Sequence, residues 1–423
     1  MQKTVTLLIR DRRGSDARIA LESTPDGGAA APRLTVELSR PEPLSVATEA
    51  VEEALAERFP GWNLRFLRHV REAPAMDFVE VEPLPVTALP ATLQWGGVRD
   101  LDVELARLCA DWLNTPAARP WLERGYVQGE ALPWIRRQLG ARPAALTTMH
   151  ATARSLVLRV DMADGRRVWF KADGAPEPSE AQLMEALTPI ADSLLPPTLA
   201  AEPERGWLLR EDFRAVSLLE DCEDTRPWAA AAESLGWLQR RAEDQLVRFR
   251  GLRDYRGEAL REALLAMLAS EPAAVSPADR RALEAHVERW CDALAGSLVQ
   301  PSLVHQDFVG CNVALTSSRY LIFDWSDVVL GHPFFACDRL LDARWKDKAW
   351  KSAVIDSYLT AWADVASSGE LRAEFAACQK LRVLYEDLRW ADEIASMGPC
   401  PMRDRLHADL VAGLRGMAVW LRR

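Results

Sequence analysis

The segment Val304–Val313 (VHQDFVGCNV), followed by the apolar run Tyr320–Trp325 (YLIFDW), is the most informative part of this chain. It places Asp307, Asn312 and Asp324 at spacings that suit metal-assisted phosphoryl transfer. In that chemistry one carboxylate orients an acceptor hydroxyl, and two further oxygen ligands hold Mg²⁺ against the phosphates. The chain contains only six His and three Asn. A His, an Asp and an Asn in this register are therefore a specific signal.

Each residue of this segment has a predicted role. We expect Asp307 to orient the hydroxyl and to take its proton late, because a loose transition state needs little activation of the nucleophile. Asn312 and Asp324 are expected to ligate Mg²⁺, which usually keeps several waters beside a few protein oxygens. His305 belongs to the catalytic segment as a residue that holds the loop, and we assign it no proton transfer.

Composition bounds the class of protein. A chain of 423 residues with 48% hydrophobic and 27% charged residues is typical of a soluble protein with two or three domains. The net charge of −10 argues against a protein that follows nucleic-acid phosphates. The apolar start at Thr4–Ile9 is too short for a signal peptide, and no window is apolar enough to span a membrane. Seven widely spaced cysteines favour buried thiols in a reducing cytoplasm over a zinc site or disulfides.

The basic residues are almost all arginine. Only six of the 52 are lysine, and Lys171 is the sole lysine between Lys3 and Lys346. A compact ammonium fits between phosphate oxygens differently from a flat guanidinium. We therefore predict a chemical role for Lys171, with drift at a surface position as the alternative.

Hydrophobic periodicity and turn residues divide the chain into four segments. They are a small α+β domain (1–115), a connector rich in Pro and Trp that packs against a neighbour (116–145), a small β-rich lobe (146–212) and a large helical lobe (213–423).

In the first domain we predict a strand at Thr4–Arg10, a turn at Pro25–Gly28, a helix at Leu44–Phe59, and strands at Trp62–Val70 and Asp77–Glu82. This order resembles a degenerate Nudix-like domain. The acids of the helix (Glu49, Glu52, Glu53 and Glu57) lack the pattern of the pyrophosphatase box, and Glu53 and Glu57 fit a solvated face. We predict no chemistry for this domain.

In the β-rich lobe, the runs Leu156–Val160 and Arg166–Ala172 predict a hairpin whose second strand ends at Lys171. A helix is predicted from Glu180, with an apolar stripe at Leu183, Leu187 and Ile190. A strand follows at Trp207–Leu209. The helical lobe has predicted helices over residues 227–247, 257–269, 277–297 and 348 to the end.

With these residues placed, the chain resembles the aminoglycoside phosphotransferase and choline kinase group over residues 145–345. The family's catalytic loop, His-x-Asp-x-x-x-x-Asn, is matched by His305, Asp307 and Asn312, and its metal-binding Asp by Asp324. The resemblance implies an α+β, protein-kinase-like bilobal fold, with ATP and Mg²⁺ as cofactors.

The resemblance also implies a nucleotide site. Lys171 corresponds to the strand lysine that grips the α- and β-phosphates, and Glu180 to its helix partner, with Glu185 as the competing candidate. Glu211 and Phe213 lie in the segment that corresponds to the hinge, which offers backbone hydrogen bonds to adenine.

Two departures from the family pattern stand out. Residues 147–155, where a glycine-rich phosphate loop is expected, contain no glycine. His332 replaces the commoner Asp of Gly-Asp-Pro, which should lose a structural hydrogen bond. The following Asp338 is expected to support the site or to cap a helix.

The leading hypothesis is an ATP- and Mg²⁺-dependent phosphotransferase acting on a hydroxyl group of a small molecule. Acids and aromatics near Tyr385–Asp387 could bind a cationic acceptor, although core packing explains them as well. The alternative is a kinase-fold pseudoenzyme that binds a nucleotide or metabolite, favoured by the missing glycines, and nucleotidyl transfer onto a protein is a third option. A P-loop NTPase is excluded, because no Gly-x-x-x-x-Gly-Lys-Ser/Thr exists. The sequence does not indicate an oligomeric state.

Overall fold

A computed structural model describes residues 2–10, 18–25, 29–38, 48–60, 62, 64–71, 77–83, 89–101, 103–114, 117–174, 178–344, 346–398 and 400–422. The chain forms two compact units. Unit one contains Met1–Asp173, Trp207–Arg210 and Met397–Asp404, and unit two contains Gly174–Gly206, Glu211–Ser396 and Arg405–Arg423. Within the described ranges, no helix has the length and hydropathy that a bilayer crossing requires.

The first part of unit one is built from two small sheets and two helices. Its elements are β1 (Gln2–Ile9), β2 (Ile19–Ser23), β3 (Ala29–Ala30), β4 (Arg33–Glu37), α1 (Thr48–Arg58), β5 (Leu64–Arg71), β6 (Asp77–Pro83), β7 (Leu93–Gly96) and α2 (Val103–Asn114). One sheet has the order β4–β1–β6–β5, in which only β1 and β6 run parallel, and the other has the order β3–β2–β7.

These elements confirm the predicted strands and the helix of the first domain. The predicted start of the helix before Thr48 and most of the turn at 25–28 lie outside the described residues. Glu53 and Glu57 of α1 are exposed, as expected for a solvated face. The likeness to a Nudix domain stays a prediction.

The middle of the chain adds α3 (Leu132–Leu139), β8 (Pro143–Ala151), β9 (Ser155–Met162), β10 (Arg167–Asp173), α4 (Glu180–Ala191), β11 (Thr198–Glu202) and β12 (Trp207–Glu211). Within unit one the strands neighbour each other in the order β12–β10–β9–β8. The predicted β9–β10 hairpin is confirmed, with Lys171 opposite Val157, although β10 continues two residues beyond Lys171. Trp134, Phe170 and Trp207 meet edge to face behind this sheet, and each edge-to-face pair adds stability beyond the area it buries.

Helix α1 covers the outer edge of β8. The Thr48 hydroxyl donates to Thr148 O at 2.7 Å, and Thr148 N donates to Glu52 Oε2 at 2.9 Å. Glu52 Oε1 accepts from Phe66 N at 2.9 Å, yet burial raises the pKa of this carboxyl to about 7. Helix α1 thus provides hydrogen-bond partners for backbone groups of β8 that would be unpaired at the edge of the sheet.

The connector is packed down, as predicted. Trp121 is 5% exposed, and its indole N–H donates to Thr152 O at 2.8 Å. Arg119 Nε donates to Ala153 O at 3.0 Å. The tip of the β8–β9 hairpin is therefore held by the connector. The predicted domain boundaries at residues 115, 145 and 212 stay a prediction.

Unit two is mainly helical. Its remaining elements are β13 (Ser217–Leu218), α5 (Thr225–Ala242), α6 (Glu258–Ser270), α7 (Pro277–Leu294), β14 (Ser302–His305), β15 (Val313–Leu315), β16 (Tyr320–Ile322), β17 (Val328–Gly331), α8 (Asp338–Leu341), α9 (Lys348–Leu359), α10 (Ser368–Ser396) and α11 (Pro401–Leu421), the last of which begins in unit one. The predicted helical regions are confirmed with two differences. Helix α5 ends at Ala242 and a 3-10 segment covers Glu243–Phe249, and the region from residue 348 onward is divided into α9, α10 and α11. Two short sheets, β13–β15–β16 and β14–β17, interrupt the helices.

Small residues let the helices of unit two approach closely. A Cβ on Gly236 of α5 would lie 2.7 Å from Tyr358 O of α9, and one on Gly413 of α11 would clash with the Asp387 carboxylate of α10. Asp387 is 3% exposed, and burial, together with the charge of Glu386, raises its pKa to about 8. A carboxyl group buried in this way favours its neutral form.

Candidate active site

The segment after β14 forms the loop that the sequence singled out. His305 is fully buried, its Nδ1 accepts from Asp307 N at 3.3 Å, and its Nε2 lies 3.1 Å from Phe323 O. An acceptor role at Nδ1 places the ring proton on Nε2, which then donates to the carbonyl. Trp325 packs 4.7 Å from the imidazole. These contacts are those of a residue that holds the loop in shape.

Asn312 faces Asp307 across the same loop. Its Nδ2 donates to Asp307 O at 2.9 Å and to Asp307 Oδ2 at 3.2 Å, and the residue is 8% exposed. The amide nitrogen of Asn312 donates to Asp307, and the amide oxygen Oδ1 is the atom of Asn312 that can ligate a cation.

The β15–β16 hairpin brings the second predicted ligand to the same place. Val313 pairs with Ile322, and Phe323 N donates to Asn312 O at 3.1 Å. Asp324, the next residue, adopts a left-handed conformation with φ 61° and ψ 58°. Non-glycine residues rarely adopt it, and such outliers concentrate at functional sites. The antiparallel register therefore explains how residues twelve apart in sequence come to lie at one end of a hairpin.

This donor set fits Mg²⁺. Asn312 supplies a neutral oxygen and Asp324 a carboxylate, and Ser326 Oγ orients the carboxylate by donating to Oδ1 at 2.9 Å. In the described part of the chain, no cluster of three or more His, Cys, Asp or Glu side chains could hold a metal. Two protein oxygens with waters and phosphate oxygens is the arrangement that Mg²⁺ commonly takes.

Two arginines that the sequence reasoning missed contact Asp307. Arg389 Nη1 lies 3.3 Å and Arg339 Nη2 lies 3.2 Å from Asp307 Oδ1. Arg389 comes from α10, has a side chain only 5% exposed, and also donates to Asp327 Oδ2 at 2.7 Å. Asp327 stands three residues after Asp324, so one guanidinium joins the loop of Asp307 to the loop of the predicted metal ligand.

Glu180 of α4 supports that second loop. It is fully buried, and its Oε1 accepts from Trp325 N at 3.2 Å. Glu185, the competing candidate for the lysine partner, is exposed. Lys171 belongs to unit one, where its side chain is 14% exposed and lies 3.4 Å from Asp173 Oδ2. Since Glu180 belongs to unit two, the pairing of Lys171 with Glu180 stays a prediction.

The predicted hinge residues have partners of their own. Glu211 N donates to Pro197 O at 3.2 Å. The backbone group of Glu211 that is left for a hydrogen bond to adenine is therefore its carbonyl oxygen. The Phe213 ring packs 5.0 Å from Phe323, beside Asp324.

The glycine-free segment is the β8–β9 hairpin with a tight turn at Thr152–Arg154. Thr152 Oγ1 accepts from Arg154 N at 3.1 Å and from Ser155 N at 3.3 Å. A threonine hydroxyl thus occupies two backbone N–H groups of the kind that a glycine-rich loop presents to phosphate.

One expectation from the family pattern is wrong. His332 does not lose the structural hydrogen bond, because its Nδ1 accepts from Phe334 N at 3.3 Å and caps the following turn. Its Nε2 also contacts Glu374 Oε1 at 2.8 Å. Asp338 does not cap α8; it is the first residue of that helix, accepts from Gln379, and its pKa is raised by burial to about 7.

Comparison with known proteins agrees with this geometry. Residues 149–370 match APH, the phosphotransferase enzyme family. The chain belongs to this family. The matched range includes every site residue placed above except Arg389 of α10, and it begins after α1 and the connector. No curated protein matches the chain.

A solved structure at a TM-score of 0.50 supports the fold, and others are similar to this chain. A macrolide 2'-phosphotransferase type I is 14% identical, with a TM-score of 0.50, and the match covers 71% of this chain and 99% of that one. A choline/ethanolamine kinase family protein from Mesorhizobium loti is 18% identical (TM-score 0.43, 67% and 99% covered), and the Plasmodium vivax ethanolamine kinase is 9% identical (TM-score 0.48, 73% and 93% covered). The predicted α+β, kinase-like bilobal fold class is confirmed.

Proposed function

We propose that this chain transfers the γ-phosphoryl group of ATP, with Mg²⁺, to a hydroxyl group of a small molecule. The observation that supports the proposal is the placement of Asp307, Asn312 and Asp324 on two segments that are hydrogen-bonded at Asn312. Asn312 holds Asp307 through two hydrogen bonds, and the β15–β16 register sets Asn312 against the residue before Asp324. A neutral oxygen, a metal-binding carboxylate and a carboxylate for the acceptor are the protein groups that this reaction needs.

In this mechanism Asp307 orients the acceptor hydroxyl and receives its proton late. Arg389 and Arg339 contact Oδ1 of Asp307, and Asn312 donates to Oδ2. A carboxylate held in place by these contacts lowers the activation barrier by positioning the acceptor. Mg²⁺·ATP, when bound, supplies the phosphoryl group and the positive charge that stabilises it. Asn312 Oδ1 and the Asp324 carboxylate would hold the cation, and Lys171 would hold the α- and β-phosphates.

The test separates chemistry from binding. Asp307→Ala is expected to abolish phosphoryl transfer while leaving Mg·ATP affinity nearly unchanged, measured by isothermal titration calorimetry. Asp324→Asn is expected to weaken Mg·ATP binding, because one anionic oxygen is lost from the cation. Equal loss of nucleotide binding in Asp307→Ala, or unchanged metal dependence in Asp324→Asn, would contradict these roles.

A second candidate function is a pseudoenzyme that binds a nucleotide or metabolite. The turn at Thr152 favours it, because the threonine hydroxyl already occupies two of the backbone donors that a phosphate would use. A thermal-shift screen with ATP·Mg²⁺ and a panel of amino alcohols, aminoglycosides and sugars, combined with a measurement of ADP release on the same panel, distinguishes the two. A nucleotide shift with turnover of no acceptor would favour the pseudoenzyme.

The nature of the acceptor is part of the proposal. Two acidic residues of α10 that could have bound a cationic acceptor already have basic partners, because Glu386 pairs with Arg339 and Asp392 with Arg253. The structure therefore supports a cationic acceptor less strongly than the sequence does. An acceptor with a positive charge stays a prediction, as does a cytoplasmic location. The screen tests the charge directly, since it includes amines and neutral sugars.

A further inference from the structure

A large cavity lies among the helices of unit two and uses none of the residues assigned above to phosphoryl transfer. Its volume is about 760 Å³, and α9, α10 and α11 contribute most of its lining. Apolar side chains form its walls, among them Ile355, Phe375, Met417 and Trp420. Trp420 is 51% exposed and Val383 41% exposed. The volume is within the range of small-molecule sites, roughly 300–1,000 Å³.

The charged residues that line this cavity are all basic. Four of the fourteen lining residues are basic (Lys351, Arg372, Lys380 and Arg382), and none is acidic. This is unusual in a chain with a net charge of −10. An apolar cavity with a basic rim is complementary to a ligand that has an apolar body and an anionic end.

Two of the four basic residues form ion pairs with aspartates outside the lining. Arg372 pairs with Asp356 and Arg382 with Asp342. Lys351 and Lys380 differ, because among the described residues no carboxylate lies within ion-pair distance of either ammonium. Lys380 Nζ lies 5.9 Å from the Trp290 ring and 5.8 Å from the Trp420 ring. These two ammonium groups are therefore the natural partners of an anion.

The presence of two lysines in this cavity is informative, and neither of them has a role in the proposed phosphoryl transfer. The chain has six lysines among 52 basic residues, and two of the six line this cavity. A lysine ammonium on a flexible stem can follow a mobile anionic head group, whereas a guanidinium prefers a fixed planar partner.

We propose that this cavity binds a free amphipathic carboxylate, with its acyl chain along Phe375 and Met417 and its carboxylate between Lys351 and Lys380. The site is independent of the proposed function, since none of these residues contacts Asp307, Asn312 or Asp324.

Isothermal titration calorimetry on the complete chain tests this proposal, with dodecanoate below its micelle concentration as the probe. Dodecanoate is expected to bind saturably with one site, while butyrate, which lacks the chain, and dodecyltrimethylammonium, which carries the opposite charge, bind at least tenfold more weakly. Equal affinity for the two twelve-carbon probes would overturn the role of the lysines.

Two variants locate the binding. The double variant Lys351→Glu/Lys380→Glu should weaken dodecanoate at least tenfold. Gly416→Phe should abolish binding without loss of folding, because a Cβ at Gly416 meets no heavy atom within 4 Å and the ring can enter the cavity. Gly129→Phe, an equally open position in unit one, is the matched control and should leave the affinity unchanged.

Other occupants give different results. Binding to vesicles of phosphatidylglycerol without binding of free dodecanoate would replace the free carboxylate by a membrane surface. Concentration-dependent dimerisation in analytical ultracentrifugation that is lost in Gly416→Phe would assign the cavity to a second copy of the chain. Either result, or dodecanoate binding that both variants leave intact, overturns the proposal.

Discussion

Arg389 and Asp307 lie 82 residues apart in sequence, yet Arg389 Nη1 is 3.3 Å from Asp307 Oδ1. The same guanidinium donates to Asp327 Oδ2 at 2.7 Å. Helix α10 thereby connects the loop of Asp307, the carboxylate that we propose orients the acceptor, to the loop that carries Asp324. A planar guanidinium can join two carboxylates in this way, whereas a single ammonium cannot keep both contacts in the same geometry.

Arg389→Lys is therefore expected to lower kcat about 10- to 100-fold, roughly 1.4–2.8 kcal/mol of transition-state stabilisation, with nucleotide affinity within about twofold. Steady-state kinetics and calorimetric ATP titration measure the two effects. Arg261→Lys is the matched control, because Arg261 also bridges two carboxylates, Glu288 and Asp292, on α7. If the two variants lose kcat equally, Arg389 has no positioning role.

Glu180→Gln separates two roles of the buried glutamate. An amide oxygen can still accept from Trp325 N, so the loop of Asp324 should keep its shape, but the negative charge predicted to pair with Lys171 is lost. We expect the KM for ATP to rise about tenfold with little change in melting temperature. Glu185→Gln, on the exposed face of the same helix, should leave KM unchanged. An unaltered KM in Glu180→Gln would restrict Glu180 to supporting Trp325.

Asp387 should make the stability of unit two depend on pH. Its folded pKa of about 8 lies above the ordinary value of 3.8, so between these values the folded state binds a proton that the unfolded state has released. Raising the pH across this interval therefore lowers the free energy of unfolding. Asp387→Asn removes the effect.

The difference between Asp387→Asn and the wild type should be small near pH 4, grow as the pH rises, and level off above pH 8. There it should favour the variant by several kcal/mol, at about 1.4 kcal/mol for each unit of pKa shift. Melting temperatures at pH 4, 6, 8 and 9 measure it. A difference that is constant over this range would mean that Asp387 is already ionised in the folded chain.

Gly310→Ala should distort the loop that contains Asp307 and Asn312. A Cβ at this buried position would lie 2.8 Å from Trp228 Cη2 and 2.9 Å from Glu220 N, so the backbone two residues before Asn312 must move. We expect a loss of roughly 1–3 kcal/mol in stability and weaker Mg²⁺ dependence of the rate. Gly369→Ala, which meets no heavy atom within 4 Å in the first turn of α10, should be neutral or slightly stabilising. Equal behaviour of the two variants would contradict the tight packing at Gly310.

Local patterns determined much of this protein. The spacing of His305, Asp307 and Asn312 and the apolar run before Asp324 predicted the loop, since these residues act within one loop and one hairpin. Strand and helix periodicity predicted the β9–β10 hairpin and α4 for the same reason: each depends on neighbours a few residues away. The apolar stripe of α4 also indicated which side of the helix is buried, and Glu180 lies on that side whereas Glu185 is exposed.

Only the tertiary structure decided which distant side chains complete the site. Arg339 follows the family's Asp338 and so had a weak local signal, but nothing near Arg389 in sequence indicates Asp307, because that contact depends on how α10 packs against the loops. The role of His332 was mispredicted for a different reason. The turn needs an acceptor for the backbone N–H of Phe334, and any side chain with an acceptor atom in the right place can supply it. An imidazole nitrogen can therefore replace a carboxylate oxygen there.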